Sequence, residues 1–127
     1  MQENLLKIAE KLNSKIYFNQ NMGKLTWFRT GGLANIFVLV ENSEELEIIL
    51  NKIKNQKFYI IGSGSNLLIR DKGFKGTIIK LGKGFNDISI IEDKLHVGAS
   101  IHDLILSKFA LKNNIEGFEF YSGIPGS

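Results

Sequence analysis

The stretch Ile61-Gly62-Ser63-Gly64-Ser65-Asn66-Leu67-Leu68 marks the point where an extended apolar segment runs directly into glycines that alternate with hydroxyl side chains. Glycines at alternate positions let successive backbone N–H groups converge on one point, and Ser63, Ser65 and Asn66 add short donors for an anionic oxygen. The stretch indicates a phosphate-binding loop and hence nucleotide or cofactor binding. A plain turn between two strands is the alternative.

This loop differs from the two commonest phosphate loops. It lacks the third glycine of a dinucleotide fingerprint, and Leu67-Leu68-Ile69 predicts a new strand where that fingerprint would open a helix. No Gly-x-x-x-x-Gly-Lys-Ser/Thr motif occurs, which argues against a P-loop NTPase. A Gly-x-Ser-x-Gly elbow is also absent, so Ser63 and Ser65 are better donors than nucleophiles.

Upstream of the loop, the pattern predicts a strand, a helix and a second strand. The run Ile36-Phe37-Val38-Leu39-Val40 lacks alternation, as in a strand buried on both faces, and Asn42 or Ser43 caps the helix that follows. Lys57-Phe58-Tyr59-Ile60-Ile61 is the second strand. Together they predict a right-handed βαβ unit whose second strand delivers the loop at its carboxyl end, where parallel sheets bind ligands. The buried stripe of the helix is Leu46, Ile49, Leu50 and Ile53, while its glutamates (Glu44, Glu45 and Glu47) look structural.

The remaining segments predict two more helices and a hairpin. Apolar spacing predicts an amphipathic helix over residues 4–12. After Asp71 glycines become frequent, and a hairpin turned by Glu92-Asp93 indicates a second, more antiparallel lobe. A further helix is predicted to start with Ser100 as its cap and to stop at Asn113-Asn114.

Composition fits one compact domain, with 127 residues, 43% hydrophobic and 23% charged. The absence of cysteine excludes a disulfide framework and fits a reducing compartment. No apolar run approaches the ~20 residues needed to span a bilayer, so we expect a cytoplasmic protein with no membrane partner.

The formal charge of +3 suits a protein that holds a pyrophosphate. Lys52, Lys54 and Lys57 lack interleaved aromatic residues and read as a solvated helix end, so we expect no nucleic-acid partner. His96 and His102 are expected to be ordinary surface residues, and with no cysteine they make a poor zinc site, so no metal is expected.

Three motifs in order give the chain a family resemblance: Thr26-Trp27-Phe28-Arg29-Thr30-Gly31-Gly32-Leu33-Ala34, the glycine loop, and Gly117-Phe118-Glu119-Phe120-Tyr121-Ser122-Gly123-Ile124-Pro125-Gly126-Ser127. The chain resembles the N-terminal part of the UDP-N-acetylenolpyruvoylglucosamine reductase family, also called UDP-N-acetylmuramate dehydrogenase. The resemblance implies non-covalent FAD, NADPH as co-substrate, and reduction of a UDP-sugar enolpyruvyl ether in peptidoglycan precursor synthesis, a process of cell wall biogenesis, cell shape and division.

The fold implied by the resemblance is α/β (α+β), a partial PCMH-type FAD-binding domain. Residues 1–71 would form a small parallel βαβ lobe, and residues 72–127 the start of a more antiparallel second lobe. On this reading the chain is a fragment: the substrate domain and the catalytic residues lie downstream, no catalytic residue is assigned here, and the fragment alone is inactive. The oligomeric state is left open.

The resemblance also implies which residues bind the cofactor. The loop residues would hold the pyrophosphate, Arg29 would reach a phosphate or the flavin pyrimidine edge, and the last motif would form a second wall. The residues alone leave two alternatives open, an ordinary surface arginine before a turn for Arg29 and a rigid turn for the last motif. The full set is Gly62, Ser63, Gly64, Ser65, Asn66, Leu67, Arg29, Gly123, Ile124, Pro125, Gly126 and Ser127. Two alternatives remain: another PCMH-type FAD-linked oxidase with covalent flavin, and a non-enzymatic nucleotide-binding module.

Overall fold

The computed structural model describes residues 2–127, with side chains described from Leu5 onward. Three α-helices are present: α1 (Gln2–Ala9), α2 (Ser43–Ile53) and α3 (Asp103–Lys112). The strands are β1 (Lys15–Asn21), β2 (Leu33–Val40), β3 (Phe58–Ile61), β4 (Phe74–Leu81), β5 (Ile88–Ile91) and β6 (Lys94–Val97). Short 3₁₀ turns cover Met22–Leu25, Lys83–Phe85 and Glu119–Gly123.

The main sheet has four strands in the order β1-β2-β4-β3. Strands β2 and β3 both run parallel to β4, as the predicted strand–helix–strand unit requires, but β4 lies between them. Strand β1 pairs with the outer edge of β2 in the antiparallel direction. This strand was not predicted from the sequence. The sheet is therefore mixed, with parallel pairing at the end that carries the glycine loop.

Strand β2 is buried on both faces, as its uninterrupted apolar run predicted. On one face Val38 and Val40 pack with the fully buried Ile49 and Ile53 of α2. On the other face Phe37 belongs to a second cluster that includes Met22, Ala34 and Ile78. Two apolar layers thus cover the two faces of the sheet at its centre.

The N-terminus of α2 is capped by Asn42, whose side chain accepts the N–H of Glu45 at 2.9 Å. The Glu45 carboxylate, only 7% exposed, reaches across to the turn before β1. It accepts the backbone N–H of Asn13 (2.9 Å) and of Ser14 (2.8 Å), the Asn13 amide (3.2 Å) and the Ser14 hydroxyl. Burial on its own would raise the pKa of Glu45, but these hydrogen bonds outweigh it and the pKa lies below its ordinary value. The prediction that this glutamate is structural agrees with its contacts.

Two predicted boundaries are wrong. Helix α1 ends at Ala9, short of residue 12, because the chain tightens into a three-residue turn in which Lys11 N–H donates to Ile8 O at 2.8 Å. Ser100 does not cap α3, since its hydroxyl donates to Gly82 O at 3.1 Å; the cap position belongs to His102. The predicted stop at Asn113-Asn114 is confirmed, with Asn114 at a φ of 56° and Ile115 N–H bonded to Ala110 O.

The strand predicted at Leu67-Leu68-Ile69 is absent. Ile69 packs closely on Gly31: a Cβ placed on that glycine would lie 3.0 Å from the Ile69 carbonyl oxygen. The next residue, Arg70, accepts two backbone hydrogen bonds at its carbonyl oxygen, from Gly32 N–H at 3.0 Å and from Gly73 N–H at 2.8 Å. Only the first of these reaches the residue 26–32 segment, and one bond does not make a ladder, so residues 67–69 stay irregular.

The hairpin of β5 and β6 is confirmed, with Ile91 opposite Lys94 and Glu92 in the turn at a φ of 56°. The division into lobes after Asp71 stays a prediction. The main sheet continues past that residue, because β4 passes through Gly76 without a break and supplies a central strand. Strand β3 lies at the edge of the sheet, and its Tyr59 is 61% exposed.

Candidate cofactor cleft

The glycine loop leaves β3 at Ile61 and turns back toward the segment that follows β1. Gly64 has a φ of +79° and is buried against this segment; a Cβ there would lie 2.6 Å from the Leu25 carbonyl oxygen. The Trp27 N–H donates to Gly64 O at 3.0 Å. Gly64 therefore allows two backbone segments to pack closely. The sequence had predicted only that this glycine lets a phosphate approach the backbone.

The hydroxyl side chains of the loop face one another. Ser63 Oγ and Ser65 Oγ are 3.0 Å apart, and both side chains are half-buried. Within residues 2–127, none of the hydrogen bonds uses the backbone N–H of Ser63, Ser65 or Asn66 as a donor. Because unpaired N–H groups need an acceptor or water, the loop has free donors for a ligand.

The last motif closes on the loop from the far end of the chain. A Cβ on Gly62 would lie 3.0 Å from Ser127 Oγ, and one on Gly126, whose φ is +118°, would lie 3.0 Å from Ser65 Oγ. The Gly126 carbonyl oxygen accepts the N–H of Asp103 at 2.9 Å, so the start of α3 holds this motif in place. The structure thus brings together two segments separated by about half of the chain.

Arg29 lies in a strained backbone conformation next to the loop. Its φ is 53°, and its N–H donates to Thr26 O at 3.1 Å in a tight turn. A left-handed conformation costs a non-glycine residue about 1–2 kcal/mol. The exposed Arg29 side chain lines the same cavity wall as Lys24.

These segments enclose a cleft of ≈ 760 Å³, within the range of small-molecule sites. Among the side chains that the structure describes, no aspartate or glutamate lines it, while Lys24 and Arg29 do. Trp27, 78% exposed, offers a flat apolar surface. The lining residues are Lys24, Leu25, Thr26, Trp27, Arg29, Ser63, Ser65, His102, Leu104, Ser122, Gly123, Ile124, Pro125 and Gly126.

The predicted site residues fall into two adjoining groups. Arg29, Ser63, Ser65 and residues 123–126 line the cleft. A smaller cavity of ≈ 260 Å³ adjoins it across the loop, and the other predicted residues line that one: Gly62, Gly64, Asn66, Leu67 and Ser127. All of the predicted residues therefore gather in one region. Which of them contact a ligand stays a prediction.

Several cleft residues were not predicted as site residues. Thr26 and Trp27 belong to the first of the three motifs that carry the family resemblance. Membership of that motif was the signal that could have identified them as site residues. Lys24 precedes that motif, and His102 was interpreted as an ordinary surface residue. The imidazole is exposed, as predicted, but it faces the cleft.

Comparison with known proteins agrees with this geometry. Residues 34–127 match the family model described as FAD binding domain, about three quarters of the chain. The chain belongs to this family. As an FAD binding domain it has the mixed architecture described above, a parallel pairing followed by an antiparallel hairpin, so the predicted partial PCMH-type α/β fold is confirmed.

Individual relatives of this FAD binding domain carry one name. The chain is 41% identical over 127 residues to UDP-N-acetylenolpyruvoylglucosamine reductase of Pelagibacter ubique, covering 98% of this chain and 42% of the relative. It is 47% identical over 110 residues to the reductase of Rickettsia typhi, covering 84% and 37%. The crystal structure of the Thermus caldophilus reductase superposes with a TM-score of 0.68 at 26% identity, covering 91% of this chain and 39% of that one. The chain thus spans about two fifths of the length of its curated relatives.

The residues of the cleft suit FAD. A dinucleotide with a flat ring system and a diphosphate needs an apolar surface, cationic side chains and free donors, and the cleft offers Trp27, the Lys24–Arg29 pair and the free N–H groups of the loop. Gly123 lines the cleft next to open space: a Cβ there would meet no described protein atom within 4 Å. Packing within the protein therefore does not require glycine at this position.

Proposed function

We propose that this chain is the FAD-binding portion of an NADPH-dependent flavoenzyme that reduces UDP-N-acetylglucosamine enolpyruvate to UDP-N-acetylmuramate in the cytoplasm. The product is a peptidoglycan precursor, which ties the protein to cell wall biogenesis, cell shape and division. The observation that carries the proposal is the meeting of the 62–66 loop and the 123–127 motif around a cation-lined cleft. The names of the relatives supply the substrate.

Within the cleft, this chain's residues would bind and orient FAD non-covalently. The hydroxyls of Ser63 and Ser65 and the free loop N–H groups would donate to the pyrophosphate, with Asn66 and Leu67 continuing that wall. Arg29 would pair with a phosphate oxygen or the flavin pyrimidine edge. When bound, FAD would supply the redox chemistry, which is transfer of a hydride from NADPH to the enolpyruvyl double bond, and a proton from a general acid would complete the reduction.

The activity is tested with the purified full-length natural protein, the enolpyruvyl UDP-sugar and NADPH. We expect loss of the NADPH absorbance band that requires the UDP-sugar, with UDP-N-acetylmuramate as product. NADPH oxidation that proceeds equally without the sugar would indicate a different flavin oxidase. Binding of ADP without any affinity for FAD would favour the nucleotide-binding module.

A further inference from the structure

His102 lines two cavities at once. It belongs to the wall of the main cleft and to that of a separate cavity of ≈ 280 Å³, where Lys80 and Ser100 also lie. Ser63 is the other residue common to these two cavities. Ser63 and His102 therefore lie at the junction, the boundary between the main cleft and this Lys80 cavity.

An elongated dinucleotide carries bulky ring groups at its two ends and a charged diphosphate between them. A ligand that extended from the main cleft into the Lys80 cavity would pass beside Ser63 and His102, the two residues that line both. We propose that His102 is a further cofactor-binding residue whose protonated imidazole contacts the diphosphate of FAD at this junction. This inference rests on the FAD binding proposed above. It names His102 as one more residue that contacts the cofactor and states that its imidazole is protonated when it does so.

The His102 side chain is free for this role. It occupies the cap position of α3 but forms no side-chain cap hydrogen bond, and within residues 2–127 its imidazole takes part in none of the hydrogen bonds. The first helical N–H, that of Asp103, is already bonded to Gly126 O at 2.9 Å. The Asp103 N–H is therefore unavailable to an anion, whereas the imidazole is a free donor at the start of α3.

The charges that face His102 are mostly positive. Lys24 and Arg29 line the main cleft and Lys80 lines the other cavity, while no carboxylate of residues 5–127 lines either. The nearest acid along the chain is Asp103, in the first turn of α3. A diphosphate at the junction would add negative charge among these cations, and an opposite charge close by stabilises the protonated imidazole. Binding and protonation should therefore favour each other.

The test is an NMR titration of the histidine ring resonances of the purified protein, with and without saturating FAD. Resonances are assigned with His102→Gln and His96→Gln. His96, exposed on β6, is the internal control. We expect FAD and ADP to move the titration midpoint of His102 upward by about one pH unit, and riboflavin, which has no phosphate, to leave it unchanged.

The same coupling should appear in affinity. A midpoint shift of about one unit corresponds to about tenfold weaker FAD binding when the imidazole loses its proton. His102→Gln should bind FAD about tenfold more weakly at about pH 6 and nearly normally at about pH 8, and His102→Lys should keep the tighter binding at both. His96→Gln should match the parent protein.

The outcomes separate this inference from the proposed function. FAD that binds normally while His102 and His96 titrate alike would overturn the inference and leave the proposed function intact. A pH dependence of affinity that survives in His102→Gln would do the same. A protein with no affinity for FAD at any pH would overturn both.

Discussion

The Trp27 N–H donates to the carbonyl oxygen of Gly64 at 3.0 Å, which joins the residue 26–32 segment to the glycine loop. On the other side of the loop, Gly62 lies against Ser127. The loop is therefore supported from both sides by protein, and Ser63 and Ser65, whose N–H groups are free, line the cleft beside those supports. Such support positions the donors before a ligand arrives.

Gly64→Ala should unfold or loosen the loop. The new Cβ would lie 2.6 Å from Leu25 O, and the residue would have to keep a φ of +79°. We expect a loss of about 2 kcal/mol or more in the free energy of unfolding, measured by urea denaturation, together with loss of FAD binding.

Gly123→Ala is the matched control for Gly64→Ala. Its Cβ would meet no protein atom within 4 Å and would project from the cleft wall. We expect a free energy of unfolding within about 0.5 kcal/mol of the parent and weaker FAD binding by fluorescence titration. Equal destabilisation by the two substitutions would show that the close packing at Gly64 does not govern the loop.

Ser63→Ala and Ser65→Ala should each weaken FAD binding roughly tenfold, because a hydrogen bond to a charged oxygen contributes about 1.5–3 kcal/mol. Ser122→Ala is the control, since this serine lines the same cleft but its hydroxyl donates to Glu119 O at 2.7 Å. Isothermal titration should separate the three variants. Unchanged affinity in both loop variants would exclude the hydroxyls from the site.

Glu45 should make stability depend on pH in the acidic range. Its pKa is lower in the folded chain than in the unfolded chain, so its contribution is complete above about pH 4.3 and is lost as the pH falls below that value. Glu45→Gln should cost about 1–3 kcal/mol at neutral pH and flatten the acid limb of the stability curve. Glu44→Gln, on the exposed side of α2, should leave that limb unchanged; a parent-like acid limb in Glu45→Gln would refute the assignment.

Thr77→Val should stabilise the protein. The Thr77 side chain is fully buried in β4, and its Oγ1 has no hydrogen-bond partner among the residues that the structure describes. Replacing the hydroxyl with a methyl group of similar shape should add about 1 kcal/mol in thermal or urea unfolding. Thr26→Val makes the same change at a buried threonine whose hydroxyl donates to Thr30 O, and it should destabilise. A loss of stability at both positions would point to an unrecognised partner of Thr77.

The local elements could be predicted from the sequence because their signals are local. The apolar run of β2, the Asn42 cap of α2 and the two-residue turn between β5 and β6 all depend on neighbours within a few positions. The mixed character of the sheet could not be predicted in this way. Nothing in the β4 residues encodes that this strand separates β2 from β3, since that is decided by pairing between distant segments.

In the site, too, local features could be predicted and long-range ones could not. The 62–66 loop and the last motif carry the family resemblance in their own residues, so both could be predicted from the sequence. His102 was not predicted to line the cleft because its position depends on where α3 begins. Ser100 is the better cap by residue type, but its hydroxyl donates to Gly82 O instead. Contacts between segments distant in the sequence therefore determine both where α3 begins and where His102 lies.

The central claim is that this protein holds FAD non-covalently in the cleft between the glycine loop and the last motif. The most direct measurement is the visible absorption spectrum of the full-length natural protein, purified without added cofactor, before and after acid precipitation. We predict flavin bands that are released into the acid supernatant. Bands retained in the pellet would contradict non-covalent binding and favour a covalent flavin oxidase, and a colourless protein that takes up no added FAD would contradict flavin binding altogether.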